Sequence, residues 1–431
     1  MIPNKDVVCE HWAVIACDQY TSDEKYWGSV AELVKDKKST YHLMLPEIYL
    51  EDDGVEDKIK EIHKNMNDYL DGNVFESVDG LIFVKRKLRC GKNRLGLVFS
   101  IDLENYSYDK NSQSLIRPTE GTIVERIPPR KKVRNGARIE SPHVMLIFDD
   151  DKKEIIEPIA ERLDTYQKLY DFNLMFDSGK IEGYLINKND EIKDILGSFE
   201  KFLDDEYFKN KYGDKGEPIL FCVGDGNHSL ATAKSYWEDV KRDLNDEEIK
   251  NHPARFALVE AVNLYDESLE FEAIYRVLFG VDSALLEETL REHLDREELD
   301  FEISEIDSFD EMKKIVDEEN TSNKHVFGFL TNNKYKVIKI NNPKLNLSFA
   351  TLQEFLDAFI EKNNVKIDYI HGEDLLQELA CKENNTGFYL KSIQKEDLFK
   401  SVIKDGPLPR KTFSMGHAYD KRFYLECRKI N

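Results

Sequence analysis

The chain has 431 residues, of which 41% are hydrophobic and 34% are charged, enough for two or three domains with well-solvated surfaces. Acidic residues outnumber basic ones by 84 to 61, and the net charge of −23 disfavours general binding to nucleic acids or anionic membranes, because phosphate contacts need clustered cations. The six cysteines are scattered, and no apolar run approaches about 20 residues. We therefore expect a cytoplasmic protein with reduced thiols, without a signal peptide or a membrane span.

The N-terminal residues predict a strand followed by two helices. Residues 12–17 form an apolar run, Ser22 is placed to cap a helix that begins directly after it, and residues 54–71 carry an apolar stripe at helical spacing. Asp18 follows the predicted strand, where α/β proteins place catalytic groups, although an Asp in a turn is also ordinary. The roles of Asp18 and Glu47 stay open.

An antiparallel pair of strands is predicted next, at Leu81–Val84 and Leu95–Ile101. His143–Phe148 has the pattern of a buried strand, and apolar residues at helical spacing predict an amphipathic helix over 153–171. The remaining predicted elements of this half are strands at 183–186, 252–263 and 271–277 and a helix at about 190–206.

A basic segment runs from Arg126 to Arg138 and contains no acidic residue, which is a local reversal of sign in this acidic chain. Clustered Arg and Lys side chains give charge-assisted contacts to phosphate oxygens. The segment is therefore a candidate phosphate or pyrophosphate pocket, and a solvated loop is the alternative. Its cations are Arg126, Arg130, Lys131, Lys132, Arg134 and Arg138.

A glycine-rich turn at 224–229 lies between a predicted buried strand, Ile219–Val223, and a predicted helix. Its two glycines allow a sharp turn and a close approach of the backbone to a ligand. The turn delivers N–H groups at a helix N-terminus, where an anion is favoured. Asp225 can bind a metal or handle a proton, and His228 can act as a cation or a hydrogen-bonding group. The alternative is an ordinary Asp, Asn or Ser cap at a strand-to-helix turn.

Beyond residue 280 the predicted elements alternate regularly, as in a second α/β domain. We therefore expect a mixed α/β protein with an N-terminal region at 1–280 and a C-terminal domain at 281–431. The polar segment 407–417 is predicted to return to the site of the first region, and a solvated terminus is the alternative. The predicted helices are 283–294, 308–318, 351–362, 373–380 and 396–403, and the predicted strands are 299–304, 325–330, 334–340, 366–370 and 387–391.

Several motifs resemble the uncharacterised-domain family numbered 1015, DUF1015. They are Trp12–Ser22 with Tyr26 and Trp27, Leu45–Leu50, Arg117–Arg130, Asp225–Ser229 and Leu408–Phe413. These matches run from the N-terminus to the tail, so the resemblance covers essentially the whole chain. Family membership by itself names no reaction.

A second resemblance concerns the reaction. Asp225–Ser229 is similar to the Asp-Gly-His-His-Arg turn of free-serine kinases with the ParB/sulfiredoxin-like fold, and Pro118-Thr-Glu120 resembles their Pro-x-Glu segment. The resemblance implies a ParB/sulfiredoxin-like core that phosphorylates free L-serine to O-phosphoserine. The chain departs from that turn with Asn227 for the first His and Ser229 for the Arg. The missing Arg leaves the donor open between pyrophosphate, ATP and ADP, and the lack of a base-binding motif favours pyrophosphate.

The resemblance also implies roles for single residues. Glu120 would accept the serine proton, and Asp225 would bind Mg²⁺ that bridges donor oxygens. The transferring phosphate would be bound by Gly226, Asn227, His228 and Ser229, the rest of the donor by Arg126, Arg130, Lys411 and Thr412, and L-serine by Arg117 and Arg276.

Two other functions stay open. One is a nucleotide or phosphate-ester hydrolase on the same fold, in which Asp225 and His228 activate water. The other is a non-catalytic module that senses nucleotide or phosphate. A homodimer is also left open. We further expect 126–138 and 408–417 to meet at the turn, and removal of about 25 C-terminal residues to leave the rest folded.

Overall fold

The computed structural model describes every residue except Ser22, Glu51, His143, Lys215 and Arg410, and only the backbone of Asp18. The chain forms two units: unit 1 is Met1–Leu269 together with Gly416–Asn431, and unit 2 is Glu270–Met415. The first boundary between the units lies after Leu269. The sequence pattern suggests a boundary at residue 280. The chain leaves unit 1, builds unit 2 and then returns to unit 1.

Unit 1 is built from these elements, numbered along the chain. Its strands are β1 (Ile2–Pro3), β2 (Phe75–Glu76), β3 (Leu81–Lys87), β4 (Asn93–Asp102), β5 (Ile116–Pro118), β6 (Ile139–Glu140), β7 (Met145–Phe148), β8 (Gln167–Asn173), β9 (Lys180–Ile186), β10 (Phe221–Asp225), β11 (Phe256–Asn263) and, after unit 2, β20 (Arg428–Lys429). Its helices are α1 (Cys9–Trp12), α2 (Glu24–Val34), α3 (Val55–Asp71), α4 (Ile127–Arg134), α5 (Glu157–Ala160), α6 (Asn189–Ser198), α7 (Asp205–Tyr212), α8 (Asn227–Val240) and α9 (Asp246–Asn251).

An eight-stranded mixed sheet in the order β5-β10-β7-β11-β4-β3-β9-β8 forms the centre of unit 1. The pairs β5–β10 and β7–β11 are parallel, and the other neighbours are antiparallel. Successive side chains of a strand point to opposite faces, so Phe83 joins one hydrophobic cluster with Trp237, while Ile82 and Val84 join another with Trp12. The predicted mixed α/β class is confirmed.

The C-terminal segment Gly416–Asn431 is part of the core of unit 1. Phe423, Leu425, Cys427 and Ile430 are at most 1% exposed and pack in the same cluster as Trp12. The Trp12 indole N–H donates to the carbonyl of Leu425 at 2.8 Å. Removing this segment would expose that cluster, so the structure overturns the expectation that a truncated chain keeps the rest of unit 1 folded.

The predicted helix over 153–171 is wrong. The structure has only the short helix α5 there, with Pro158 in its first turn, and then enters β8. In β8 the buried residues Tyr170 and Phe172 alternate with exposed ones, which is the period of a strand. The apolar residues of β8, a half-buried edge strand, therefore fit the helical spacing of the residues before them only by chance.

The predicted strand over 12–17 is also wrong in most of its length. Helix α1 ends at Trp12, and within the described residues only Val14 makes a β-bridge, with Tyr424. The N-cap of α2 is Asp23, whose carboxylate accepts the Tyr26 N–H at 2.9 Å. Ser22, the predicted cap, lies outside the described residues, as does His143 before β7. Helix α3 and the β3–β4 pair are confirmed.

Unit 2 contains the regularly alternating elements, and all of those predicted from residue 283 onward are confirmed with ends shifted by a few residues. Its main sheet is antiparallel throughout, in the order β14-β16-β15-β18-β13-β17. None of the helices in the described part of the chain has the length and apolar character that a membrane crossing needs. The elements are strands β12 (Phe271–Ala273), β13 (Tyr275–Phe279), β14 (Asp300–Ile306), β15 (Lys324–Thr331), β16 (Lys334–Asn341), β17 (Lys366–Ile370), β18 (Asn385–Tyr389) and β19 (Phe413–Met415), and helices α10 (Ser283–Arg296), α11 (Phe309–Glu319), α12 (Ser348–Asn363), α13 (Glu373–Ala380) and α14 (Lys395–Asp405).

Candidate functional site

Two predicted catalytic carboxylates lie at the C-terminal ends of neighbouring parallel strands of the unit 1 sheet: Glu120 follows β5, and Asp225 is the last residue of β10. In the register of β5 and β10, Pro118 lies opposite Val223. The hydroxyl of Thr119 donates to the carbonyl of Val223 at 2.7 Å, so the pairing is held beyond the last strand residue. Glu120 and Asp225 come two residues after Pro118 and Val223. The topology therefore brings both carboxylates to the same edge of the sheet, where open α/β sheets bind ligands.

The turn between β10 and α8 depends on Gly226. Its φ of 81° lies in the left-handed region, and a Cβ there would come 3.0 Å from the Cα of Val144. Helix α8 then begins at Asn227, and its N-cap residue is Gly226, which makes no side-chain capping hydrogen bond. The carboxylate of Asp225 instead accepts the N–H of Gly226 at 2.9 Å. The structure therefore does not show the ordinary capped turn, and the first-turn N–H groups favour an anion.

His228 connects the loop that follows Glu120 to the first turn of α8. Its Nε2 accepts the N–H of Ile123 at 3.3 Å, and its carbonyl accepts the hydroxyl of Thr232 at 2.7 Å. A neutral imidazole that accepts at Nε2 carries its proton on Nδ1. His228 thus links the predicted base segment to the predicted anion site.

Ile127–Arg134 of the basic segment form helix α4, so most of the segment is not a loop. Most of its cations contact acidic or amide side chains from other parts of unit 1. Arg130 pairs with Glu47, Lys131 with Asp239, Lys132 with Glu56 at 3.2 Å and Arg134 with Glu140 at 2.6 Å, and Arg138 donates to Asn67 at 3.2 Å. Arg126 is exposed. The sign reversal in the sequence is therefore largely neutralised in the fold, and Arg126 and Arg130 remain the candidate donor ligands of this helix.

Glu47 and Lys421 are two charged residues near the site to which the sequence assigned no role. Glu47 pairs with Arg130 and accepts the hydroxyl of Thr21 at 3.1 Å. The ammonium of Lys421 lies 3.7 Å from Oδ2 of Asp225. Lys421 comes from the returning C-terminal segment, and only a long-range contact brings it to the turn. The period-2 spacing of Phe423, Leu425 and Cys427 is the one sequence signal that this segment is buried.

The surroundings of Asp225 also influence Cys17 and Tyr424. Burial, and then the negative charge of Asp225, raise the pKa of the Cys17 thiol to about 12. Burial and Asp225 likewise raise the pKa of Tyr424, while Arg130 lowers it. Asp225 and Arg130 therefore both lie close enough to Tyr424 to act on its pKa, in opposite directions.

The predicted serine ligands have structural contacts of their own. Arg117 is 3% exposed and donates to the carbonyls of Ser114 and Glu217 at 2.8 and 2.9 Å. Arg276 is fully buried in unit 2, where it donates to Gln353 at 3.2 Å. These contacts hold loops and core together, and the proposed binding of L-serine by either residue stays a prediction.

Lys411 and Thr412 belong to unit 2. The hydroxyl of Thr412 donates to the carbonyl of Pro409 at 2.5 Å, and Lys411 is exposed with a φ of 55°. Their predicted contact with the donor, and the predicted meeting of 408–417 with α4, stay predictions.

A magnesium ion would find one suitable ligand here. No group of three or more His, Cys, Asp or Glu that could hold a metal occurs among the described residues. Oδ2 of Asp225, however, is buried without a hydrogen-bond donor in that part of the chain. Mg²⁺ in phosphoryl-transfer sites is usually bound by one or two carboxylates together with substrate phosphates and water. The residues present fit a cation that arrives with its phosphate ligand.

The chain resembles one protein family over most of its length. The family model described as a protein of unknown function, DUF1015, matches residues 1–359. No curated protein matches the chain. Similar solved structures include a free serine kinase variant in complex with ADP (11% identity, TM-score 0.40, 76% of this chain and 91% of that chain).

Two further solved structures are comparably similar. A free serine kinase in complex with AMP has 13% identity, a TM-score of 0.40, and covers 76% of this chain and 90% of that one. A conserved hypothetical protein from Pyrococcus furiosus has 12% identity, a TM-score of 0.38, and covers 77% of this chain and 95% of that one. Likeness at this level carries no argument about the reaction.

Proposed function

The chain belongs to the DUF1015 family, whose description names no reaction, and from the site itself we propose that it transfers a phosphoryl group from pyrophosphate or a nucleotide to the hydroxyl of free L-serine, giving O-phosphoserine. The observation that supports this most is the parallel pairing of β5 and β10. It brings Glu120 and Asp225 to one sheet edge, directly before an uncapped helix N-terminus. The proposal agrees with the resemblance of Pro118-Thr-Glu120 and Asp225–Ser229 to the free-serine kinase motifs.

The proposed step is an in-line displacement. The serine hydroxyl oxygen forms a bond to the terminal phosphorus of the donor, and the bond to the bridging oxygen breaks. The electron pair leaves with the phosphate or nucleotide product, and the serine proton passes to Glu120. In such a loose transition state the hydroxyl loses its proton late, so a carboxylate in the right place is a sufficient base.

The turn supplies the binding site for the transferring group. The first-turn N–H groups of α8 would bind its oxygens, since they lack intrahelical acceptors. His228 would keep the Glu120 loop against this turn through its contact with Ile123. Arg126 and Arg130 would bind the rest of the donor from α4. Asp225 would hold the Mg²⁺, which supplies charge neutralisation across the donor oxygens when bound.

The decisive experiment is a donor screen with a chemical readout. The full-length protein is incubated with L-serine, Mg²⁺ and either pyrophosphate, ATP or ADP, and the products are resolved by ³¹P NMR. We expect O-phosphoserine in equimolar amount with the leaving phosphate or nucleotide. Controls without serine separate the alternatives, because a hydrolase releases orthophosphate in them and a sensing module binds the donor without making product. Failure to form O-phosphoserine with all three donors would overturn the proposal.

A further inference from the structure

We propose that Lys421 binds the phosphoryl group during transfer, an inference that rests on the proposed function. Its ammonium lies 3.7 Å from Oδ2 of Asp225, with side chains 11% and 22% exposed. Lys421 belongs to none of the sequence motifs and reaches the turn only because the C-terminal segment returns to unit 1. It adds a cation beside Asp225, the last residue of β10 before the turn into α8.

The separation between Lys421 and Asp225 leaves both groups able to bind a third partner. At 3.7 Å the two charges attract, but the distance exceeds that of a hydrogen bond. Oδ1 of Asp225 accepts the N–H of Gly226, whereas Oδ2 has no donor among the described residues. In the same part of the chain, no hydrogen bond from the Lys421 ammonium is seen. A bound phosphate would accept from Lys421, and its accompanying cation would take the free oxygen of Asp225.

Two buried arginines hold the backbone around Lys421. Arg86 donates to the carbonyls of both Lys421 and Asp420, the latter at 2.9 Å, and Arg94 donates to the carbonyl of Asp420 at 2.5 Å. Both arginines lie on neighbouring positions of β3 and β4 and are at most 4% exposed. The held main chain and the low exposure of the side chain, 11%, together restrict where the ammonium of Lys421 can lie, which favours the binding of a transition state.

The next residue shows why Lys421 and not its neighbour serves the site. Arg422 is already paired with Glu260 at 2.6 Å and with Glu426 at 2.5 Å, and all three side chains are at most 3% exposed. The charge of Arg422 is therefore neutralised by these two carboxylates in the core of unit 1. Lys421 has one carboxylate neighbour at a longer distance, and a compact ammonium is a common point-charge ligand of phosphate.

In the proposed step Lys421 makes no covalent bond and transfers no proton. Its charge lies against non-bridging oxygens of the transferring group while the bond to the bridging oxygen breaks. Negative charge shifts to these oxygens and to the leaving group, so the ammonium stabilises the transition state more than the bound donor.

The test compares Lys421→Met with Lys421→Arg and with Lys429→Met, which removes an exposed lysine from the same C-terminal segment. Binding of inorganic pyrophosphate and of ADP is measured by calorimetry at constant ionic strength, and turnover by ³¹P NMR. For Lys421→Met we expect at least tenfold weaker binding of the donor and a kcat lowered about 10²–10³-fold. Lys421→Arg should recover part of the binding, and Lys429→Met should behave as the wild type.

A second measurement needs no variant and so does not depend on folding. Acetylation of lysines in the wild-type protein is followed by mass spectrometry with and without pyrophosphate, and we expect protection of Lys421 but not of Lys429. Donor binding and turnover that are unchanged in Lys421→Met, or acetylation of Lys421 that pyrophosphate does not slow, would overturn this inference alone. A wild-type protein that binds neither pyrophosphate nor ADP would overturn the proposed function as well.

Discussion

The guanidinium of Arg422 lies 2.6 Å from a carboxylate oxygen of Glu260, and each of these side chains is only 3% exposed. Glu260 lies on β11 at the centre of the sheet, whereas Arg422 comes from the C-terminal segment. A second carboxylate, Glu426, lies 2.5 Å from the same guanidinium and also accepts the hydroxyl of Tyr170. This ion-pair network joins the returning segment to the middle of unit 1.

Arg422→Met should strongly destabilise unit 1, because it leaves two buried carboxylates without their cation. Breaking a buried pair by removing one partner costs about 3–5 kcal/mol. The free energy of unfolding is measured by urea titration. The matched control is Arg242→Met, which removes the exposed ion pair with Asp239 and should change the stability little. Equal stability of the two variants would contradict the structural role of the network.

Gly226→Ala should destabilise the protein by about 1–2 kcal/mol, since alanine is strained at a left-handed φ. The new Cβ would also lie 3.0 Å from the Cα of Val144 and displace the turn. Gly28→Ala is the control, and it should increase the stability of the protein. Gly28 lies inside α2 with open space around it, and alanine in a helix interior is favoured by roughly 0.5–1 kcal/mol. Melting temperatures that shift in the same direction for both variants would argue against this account.

Glu120→Gln should lower kcat about 10²–10⁴-fold with little change in donor affinity, because it keeps the shape of the side chain and removes the base. Donor affinity is measured by calorimetry and turnover by the formation of O-phosphoserine. Glu125→Gln removes an exposed carboxylate from the same loop and serves as control. A Glu120→Gln protein that melts early and turns over normally would assign Glu120 a structural role instead.

Asp225→Asn should lower turnover and the dependence on Mg²⁺ together, since the amide is a weaker ligand for a hard cation. The readout is the Mg²⁺ concentration that gives half-maximal turnover. If the variant changes the stability but not the Mg²⁺ dependence, Asp225 does not bind the metal. Its role would then be structural, through the hydrogen bond that it accepts from the Gly226 N–H.

Unit 2 should lose stability as the pH falls from about 6.5 to about 4. His325 is fully buried on β15 and bonded to the hydroxyl of Thr351 at 2.9 Å, and burial lowers its pKa from 6.5 to about 4. The folded state therefore binds the proton less readily than the unfolded state. The stabilisation is fully present above pH 6.5 and is lost as the pH falls toward 4, by about 3 kcal/mol in total.

Hydrogen exchange of the β15 amides in the full-length protein measures this loss. His325→Leu removes the titrating group, so its exchange rates, corrected for the intrinsic pH dependence, should vary less over the same range. An equally steep pH dependence in this variant would show that another group is responsible.

Local sequence patterns predicted the elements between Ser283 and Asp405 because most of them are long or strongly periodic. They failed at 153–171, where α5 is a single turn and the strand β8 continues an apparently helical spacing. They also failed at 12–17, where apolar residues pack around the C-terminal segment and not in a sheet.

For the candidate site, the sequence predicted the turn and both carboxylates as candidates, because glycines and acidic residues at strand ends are local signals. It could not show that acidic residues distant in sequence neutralise most cations of α4. Nor could it show that Lys421 lies beside Asp225, since that contact depends on the path of the chain after unit 2.

The discontinuity of unit 1 has a consequence for its biosynthesis. A nascent chain that has emerged only as far as Met415 has all of unit 2 but lacks the residues that fill the cluster around Trp12. Unit 2 can fold at that stage, while unit 1 presents an open apolar groove that Phe423 and Leu425 later occupy. Because Lys421 arrives with the same segment, the proposed anion site would be completed in the same late event as the core.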